Sequence, residues 1–377
     1  MKKVLISFAI VIAYIFTTNA FATTSYSIIV DAGSTGSRLH LFAYDASKQN
    51  SVPLIAEIFT ESNKPGISSF AKNPEKAGAS YKKLLDDTMT FMKSVNINPQ
   101  DVSVNILATA GMRLLPEQEQ QAIYNSIVSY IKNNYSVQFI TAETISGKME
   151  AVYGWLNVNY LADNFTAGKT IGTIDIGGAS TEIAFATANT KNSDDKVNLK
   201  INGKHYIVYS KSFLGLGQDV VRDEMNKDLL AKSCYPTNYP LASTVQGDFN
   251  FNACQEIYKT IIRSFSIDIP ATANHQFIAF SGAYYDYQFI GADKTPDQGI
   301  VEGNIQKICK TTWEQLQKDH PNDAAKYLST YCANATYVTT LINGAYGLQD
   351  GQLTVANRIN SRDIDWTLGA LMYELVR

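Results

Sequence analysis

The sequence predicts two similar α/β lobes, each built on a mainly parallel sheet. Residues 28–45 (IIVDAGSTGSRLHLFAYD) and 171–187 (IGTIDIGGASTEIAFAT) repeat one pattern: strand, Asp-x-Gly, small hydroxyl residues, strand. The two aspartates, Asp31 and Asp175, stand 144 positions apart, about the length of one domain. Between them helix-like and strand-like segments alternate, which argues for strands joined by crossover helices. The chain of 377 residues has room for two such units.

Taken in order, the first 22 residues read as an export leader. Lys2 and Lys3 precede an apolar run from Val4 to Phe16, and Ala20-Phe21-Ala22 supplies small residues for cleavage after Ala22. The run is shorter than the ~20 residues that span a bilayer, so the mature chain is expected to be secreted or periplasmic and to keep no membrane anchor. After the first Asp-Gly turn, 74–95 carries apolar positions at helical spacing and 102–109 (VSVNILAT) reads as a buried strand. An amphipathic helix follows at 117–133 and a strand at 136–140. The segment 145–161 (ISGKMEAVYGWLNVNYL) reads as a helix capped by Ser146. Residues 188–206 are polar and irregular, as in an exposed hairpin, and a helix is predicted over 217–231. The apolar segment 363–376 is a helix predicted to return to the first lobe. No Gly/Ser linker separates the lobes. The division that follows is a leader at 1–22, lobe I from 23–152 plus 348–377, and lobe II from 153–347.

Composition narrows the function. The chain is 45% hydrophobic and 18% charged with a formal net charge of −3, which leaves no basic field for nucleic acid or anionic lipid. A monomer is expected. Four cysteines occur, Cys234, Cys254, Cys309 and Cys332, none in a CxxC pair. In an exported chain they read as two disulfides. Three connectivities are open, and proximity in sequence favours Cys234–Cys254 and Cys309–Cys332. The four scattered histidines give no zinc spacing and no triad, and neither HExxH nor GxSxG is present.

The chemistry concentrates in four segments. In DAGSTGS, the backbone N–H groups of Gly33, Ser34, Thr35 and Gly36 can point into one anion-binding concavity. A carboxylate at its mouth, Asp31, suits such a site when a divalent cation sits between it and the phosphate, directly or through water. DIGGAST repeats the device with Asp175, Gly177, Gly178, Ala179, Ser180 and Thr181. ATAGMRLLP (108–116) places Arg113 at a strand's carboxyl end, where open α/β sheets bind ligands and where a planar guanidinium suits phosphoryl oxygens. Its plain alternative is a surface pair with Glu117. In 145–161, Glu150 sits among Ala151, Val152, Tyr153, Trp155 and Leu156, so this acid is either paired or functional and could take a proton from an attacking water. Its plain alternative is a helix-capping role.

These segments resemble the conserved regions of the nucleoside triphosphate diphosphohydrolase (apyrase) family in an exported bacterial form. The matching stretches are DAGSTGSR (31–38), ATAGMRLL (108–115), ISGKMEAVYGW (145–155), IDIGGASTEIAF (174–185) and FSGAYYDYQF (280–289). SKSFLGLGQDVVRDE (210–224) and DWTLGALM (365–372) also fit. The resemblance implies two ribonuclease-H-like lobes of the actin/hexokinase type with the active site in the interlobe cleft. It further implies removal of terminal phosphates from nucleoside tri- and diphosphates with Ca²⁺ or Mg²⁺. Residue by residue it implies Glu150 as the base, Arg113 as a second catalytic residue, and Ser34, Thr35, Ser180 and Thr181 in the phosphate loops. Asp31 and Asp175 would order the metal's water shell, and Tyr346, in NGAYGLQ, would stack on the nucleobase. The rivals are an exopolyphosphatase or guanosine pentaphosphatase of the same fold and an actin-like binder without turnover.

Overall fold

The computed structural model describes residues 24–45, 51–188 and 192–377; the predicted leader lies outside them. Its framework is one sheet built twice. The first contains β1 (Thr24–Ala32), β2 (Ser37–Asp45), β3 (Ile55–Asn63), β4 (Val102–Ala108) and β5 (Gln138–Thr144), in the order β3-β2-β1-β4-β5. The second contains β6 (Gly172–Ile176), β7 (Ser180–Ala186), β8 (Lys196–Ile201) and β9 (Lys204–Leu214). A small separate hairpin, β10 (Pro240–Ala242) and β11 (Val245–Gln246), precedes its last strands, β12 (Phe277–Ser281) and β13 (Leu353–Val355). Its order, β13-β12-β6-β7-β9-β8, matches the first with one strand added.

The expectation of mainly parallel sheets needs correction. β1, β2 and β3 form an antiparallel meander, and β6, β7, β9 and β8 pair antiparallel in that order with β8 at the edge; only the β1-β4-β5 and β6-β12-β13 ladders are parallel. The cause is local. A turn of four residues between β1 and β2, or three between β6 and β7, is too short for the crossover that parallel neighbours require.

Helices cover the sheets from three sides. α1 (Lys82–Ser94) buries Leu84, Leu85, Thr88 and Met92, and α2 (Glu117–Asn134) buries Ile123, Tyr124, Ile127 and Ile131, so each turns a single stripe inward against the outer face of the first sheet. α3 (Gly147–Leu161) is buried almost all round, as a helix held between two layers must be. It leaves the first sheet after β5 yet packs on β6, β7 and β9 of the second. On the outer face of the second sheet lie α4 (Gln218–Met225), α5 (Phe251–Arg263), α6 (Gly282–Phe289), α7 (Gln298–Cys309) and α8 (Tyr331–Thr339). α9 (Trp366–Val376) leaves the second sheet and packs on α3 and on β1 and β3 of the first. The two crossing helices therefore lock the lobes together, with Ile29, Phe42, Val152, Ile278, Leu368 and Met372 in one core.

β13 pairs with β12 in the second sheet, beyond residue 348 where the sequence division returns the chain to lobe I. The helix predicted over 217–231 stops at Met225, because the chain then turns inward through residues 231–234 to the Cys234–Cys254 disulfide. Cys309–Cys332 is the second bridge, so the pairing of sequence neighbours is the one found. Among the described residues no helix is long and apolar enough to cross a membrane.

Candidate active site

Both Asp-Gly turns lie at the carboxyl ends of the central strands, and each is seated on a glycine from another element. A Cβ on Gly66, just past β3, would come within 2.4 Å of the Ser34 carbonyl and 2.5 Å of that of Gly33. In the second turn, a Cβ on Gly217 would lie 2.2 Å from the nitrogen of Ala179. Only glycine admits backbone so close. The start of α4 then takes up the second turn's carbonyls: Gln218 N donates to Gly177 O and Asp219 N to Gly178 O, both at 2.9 Å, and Gly215 N donates to Ala179 O at 2.9 Å. Within the turn Gly177 N donates to Ser180 O at 3.1 Å, so the N–H groups of Gly178 and Ala179 are the ones that can form an anion nest. The two turns face each other, since a Cβ on Gly178 would sit 3.2 Å from Ser34 Oγ. Gly33, Ser34, Thr35 and Gly36 are thus brought opposite Gly177, Gly178, Ala179 and Ser180. Thr181 binds across to the neighbouring β6, its hydroxyl donating to Asp175 O at 3.1 Å.

Carboxyl groups gather at this junction. Asp31 Oδ1 is buried and has no hydrogen-bond partner among the described residues. Burial, reinforced by Asp365 and Glu150, raises its pKa well above the carboxylate range. Burial lifts Asp175 to about 7, against the hydroxyl of Ser281, which hydrogen-bonds to it. Ser281 ends β12 with φ of 57°, a conformation that side chains rarely adopt and that clusters at functional sites.

Glu150, 8% exposed, lies one turn into α3, whose start Ser146 caps by accepting from Met149 N at 3.2 Å. Its Oε2 accepts from Nη2 of Arg113. Burial raises its pKa, and Arg113 opposes the rise. Arg113 also donates from Nε to Ile145 O at 3.0 Å, and its Nη1 lies 3.8 Å from Glu182 Oε1. The surface pairing of Arg113 with Glu117 and a pure capping role for Glu150 are both set aside by this geometry.

Glu182 was not singled out from sequence. Its Oε1 accepts from Ser180 Oγ at 2.5 Å and Ser212 Oγ at 2.6 Å, and burial, with Glu150 and Asp175 nearby, raises its pKa well above the usual range. An acid opening the apolar run Ile183-Ala184-Phe185-Ala186 was the available signal. A second unforeseen group flanks Asp31. His40 reaches Glu57 through Nδ1 at 2.7 Å and Asp365, the cap of α9, through Nε2 at 3.2 Å. Burial works against a charge on His40, yet Asp365 and Glu57 outweigh it and lift its pKa to about 10.

Tyr346 departs from expectation. It is 2% exposed in the core of the second lobe, its ring centroid 6.1 Å from that of Phe213, so its faces are covered by protein and none is offered to a base. A lone tyrosine between glycines reads equally as a surface platform or a core ring, and nothing local distinguishes them.

Known proteins share this fold. The chain is 27% identical over 415 residues to ectonucleoside triphosphate diphosphohydrolase 1 of Bos taurus, covering 92% of this chain and 80% of that protein. A nucleoside triphosphate hydrolase structure from Neospora caninum superposes with a TM-score of 0.67 at 13% identity, over 99% of this chain and 96% of that one. A Ppx/GppA family structure from Aquifex aeolicus does so with a TM-score of 0.57 at 14% identity, over 94% and 98%. These likenesses place the fold in the two-lobed actin/hexokinase class. The sequence profile described as the GDA1/CD39 (nucleoside phosphatase) family matches residues 18–376, and the chain belongs to that family.

Proposed function

We propose that the protein removes terminal phosphates from nucleoside tri- and diphosphates, taking triphosphate to diphosphate to monophosphate. The observation that carries this reading is Glu150, held by Arg113 in a dry setting beside two opposed Asp-Gly turns. The turns grip the phosphate chain through backbone N–H groups and the Ser34 and Thr35 hydroxyls, while the Ser180 hydroxyl is held by Glu182. Glu150 orients a water in line with the terminal phosphorus and takes its proton as the P–O bond to the leaving phosphate breaks. Arg113 holds Glu150 in place and supplies positive charge as oxygens of the transferring group gain negative charge.

The residues also fit a divalent cation, Ca²⁺ or Mg²⁺. A buried Asp31 oxygen lacks a hydrogen-bond partner among the described residues, and Asp31 and Asp175 are acids whose ionised forms burial disfavours until a cation offsets them. These two would hold it, directly or through water, and when bound it neutralises phosphate charge. The leader-like segment before residue 23 and the two disulfides support export as part of the proposal, and the cysteine economy suits a bacterial form.

Glu150→Gln tests the reading. Phosphate release from ATP is expected to fall by about 10²- to 10⁴-fold in kcat, the usual contribution of a general base. Retention of more than about a tenth of wild-type kcat excludes that role. The fold shared with Ppx/GppA proteins keeps an exopolyphosphatase as the second reading. Comparing ATP with long-chain polyphosphate, and following ADP and AMP over time, separates the two.

A further inference from the structure

Lys64 opens the Lys64-Pro65-Gly66 turn on which the first Asp-Gly turn is seated. Its side chain runs along that turn, because a Cβ placed on Gly36 would be 3.3 Å from Lys64 Cγ. The ammonium then crosses to the other lobe and donates to the hydroxyl of Tyr327 at 3.4 Å. Tyr327 lies in the short helix Ala325–Leu328 and is 46% exposed. Lys326 Nζ stands 4.6 Å from its ring centroid, and Lys326 and Lys64 together hold the phenol below its ordinary pKa.

Two features mark this lysine. At 3.4 Å its bond to Tyr327 is at the long end for a nitrogen donor, so little is lost when it breaks. The guanidiniums around the turns, by contrast, already face carboxylates: Arg113 faces Glu150, Arg38 faces Asp365 and Arg222 faces Asp219. Lys64 pairs with no carboxylate among the described residues. A polyphosphate entering among Asp31, Glu150, Asp175 and Glu182 brings its own negative charge into a setting where burial already disfavours ionised carboxyls, and a long cationic side chain beside the first turn offsets it.

We propose that Lys64 is a substrate-binding residue with two seats: the Tyr327 hydroxyl when the cleft is empty, and a phosphate oxygen when it is filled. The inference rests on the phosphohydrolase reading. It adds a contact from outside the two Asp-Gly turns and makes the Lys64–Tyr327 bridge a parking place that substrate dissolves.

The test is ATP affinity by calorimetry for wild type, Lys64→Met, Lys64→Arg and Tyr327→Phe, with thermal unfolding of each variant recorded alongside. Loss of a charge-assisted phosphate contact is expected to weaken ATP binding by about tenfold to a hundredfold in Lys64→Met, with the unfolding temperature little changed. Lys64→Arg is expected to recover affinity to within about threefold, and Tyr327→Phe to bind ATP at least as well as wild type. Binding by Lys64→Met within about twofold of wild type overturns the proposal. So does equal weakening by Tyr327→Phe, which would mean that the pair only braces the lobes. Phosphate release by the wild type is measured separately. Its absence would refute the parent reading, while the affinity series still decides Lys64.

Discussion

Arg113 and Glu150 form a unit in which each sets the other's chemistry. Burial alone would keep Glu150 protonated and unable to accept a proton; the guanidinium pulls its pKa back. Replacing Arg113 by Lys removes the fork that reaches the Ile145 carbonyl and Glu150 together. We expect kcat to fall by about tenfold or more and the acid limb of the kcat–pH profile to move to higher pH, as Glu150 regains the pKa that burial imposes. An unmoved acid limb would show that Arg113 does not tune this acid. At this scale the sequence was informative where a residue type clashed with its neighbours. Glu150 stood out as an acid in an apolar helix, and Asp31 and Asp175 as carboxylates inside glycine turns. Tyr346 conflicted with nothing around it, so its burial could not be read. His40 and Asp365, 325 positions apart, became partners only through the return of α9.

At the scale of elements, two close approaches carry the architecture. α9 crosses α3 so tightly that a Cβ on Gly369 would stand 1.8 Å from the carbonyl oxygen of Tyr153. Gly369→Ala must push the helices apart in the shared core, an overpacking that typically costs about 1–3 kcal/mol, visible as a lower denaturant midpoint. Gly217→Ala presses on the second turn instead. There the expected outcome is a raised KM for ATP with a smaller loss of global stability, because the strain falls on the turn proposed to bind phosphate. The Asp-Gly turns and the long helices were legible because their signals are local: turn chemistry and apolar stripes. β3 and β13 were not, being a partly exposed edge and a strand of three residues, each defined by the neighbour it pairs with. Parallel and antiparallel ladders likewise differ in connection length more than in composition, which is how the antiparallel half of each sheet escaped a reading based on alternating helices and strands.

For the whole molecule, charge buried between the lobes sets the response to pH. Asp175 has a folded pKa of about 7 against roughly 4 when unfolded, so the folded state holds the extra proton and stability falls as pH rises through that window. His40, at about 10 when folded against roughly 6.5 unfolded, stabilises fully below 6.5 and loses that contribution as pH climbs toward 10. Unfolding temperature should therefore be highest in mild acid and decline toward alkali. Mg²⁺ or Ca²⁺ should raise it more at pH 8 than at pH 5, since a cation binds the ionised acids; equal shifts would remove the carboxylates from cation binding. Each disulfide closes a loop of about 20 residues, so reduction should destabilise by roughly 3 kcal/mol per bridge. The duplicated sheet has one further consequence. Two equivalent turns facing one another cannot, by themselves, tell one end of a polyphosphate from the other. The helices repeat as well: Ser146 caps α3 and Asp365 caps α9. Four residues past each cap the likeness fails, with Glu150 on one helix and Gly369 on the other. The ladder partner of each aspartate differs too, Arg38 beside Asp31 and Glu182 beside Asp175. On the proposed mechanism, those broken equivalences would give an otherwise ambidextrous cleft its polarity, with water attacking from one end of the chain of phosphates.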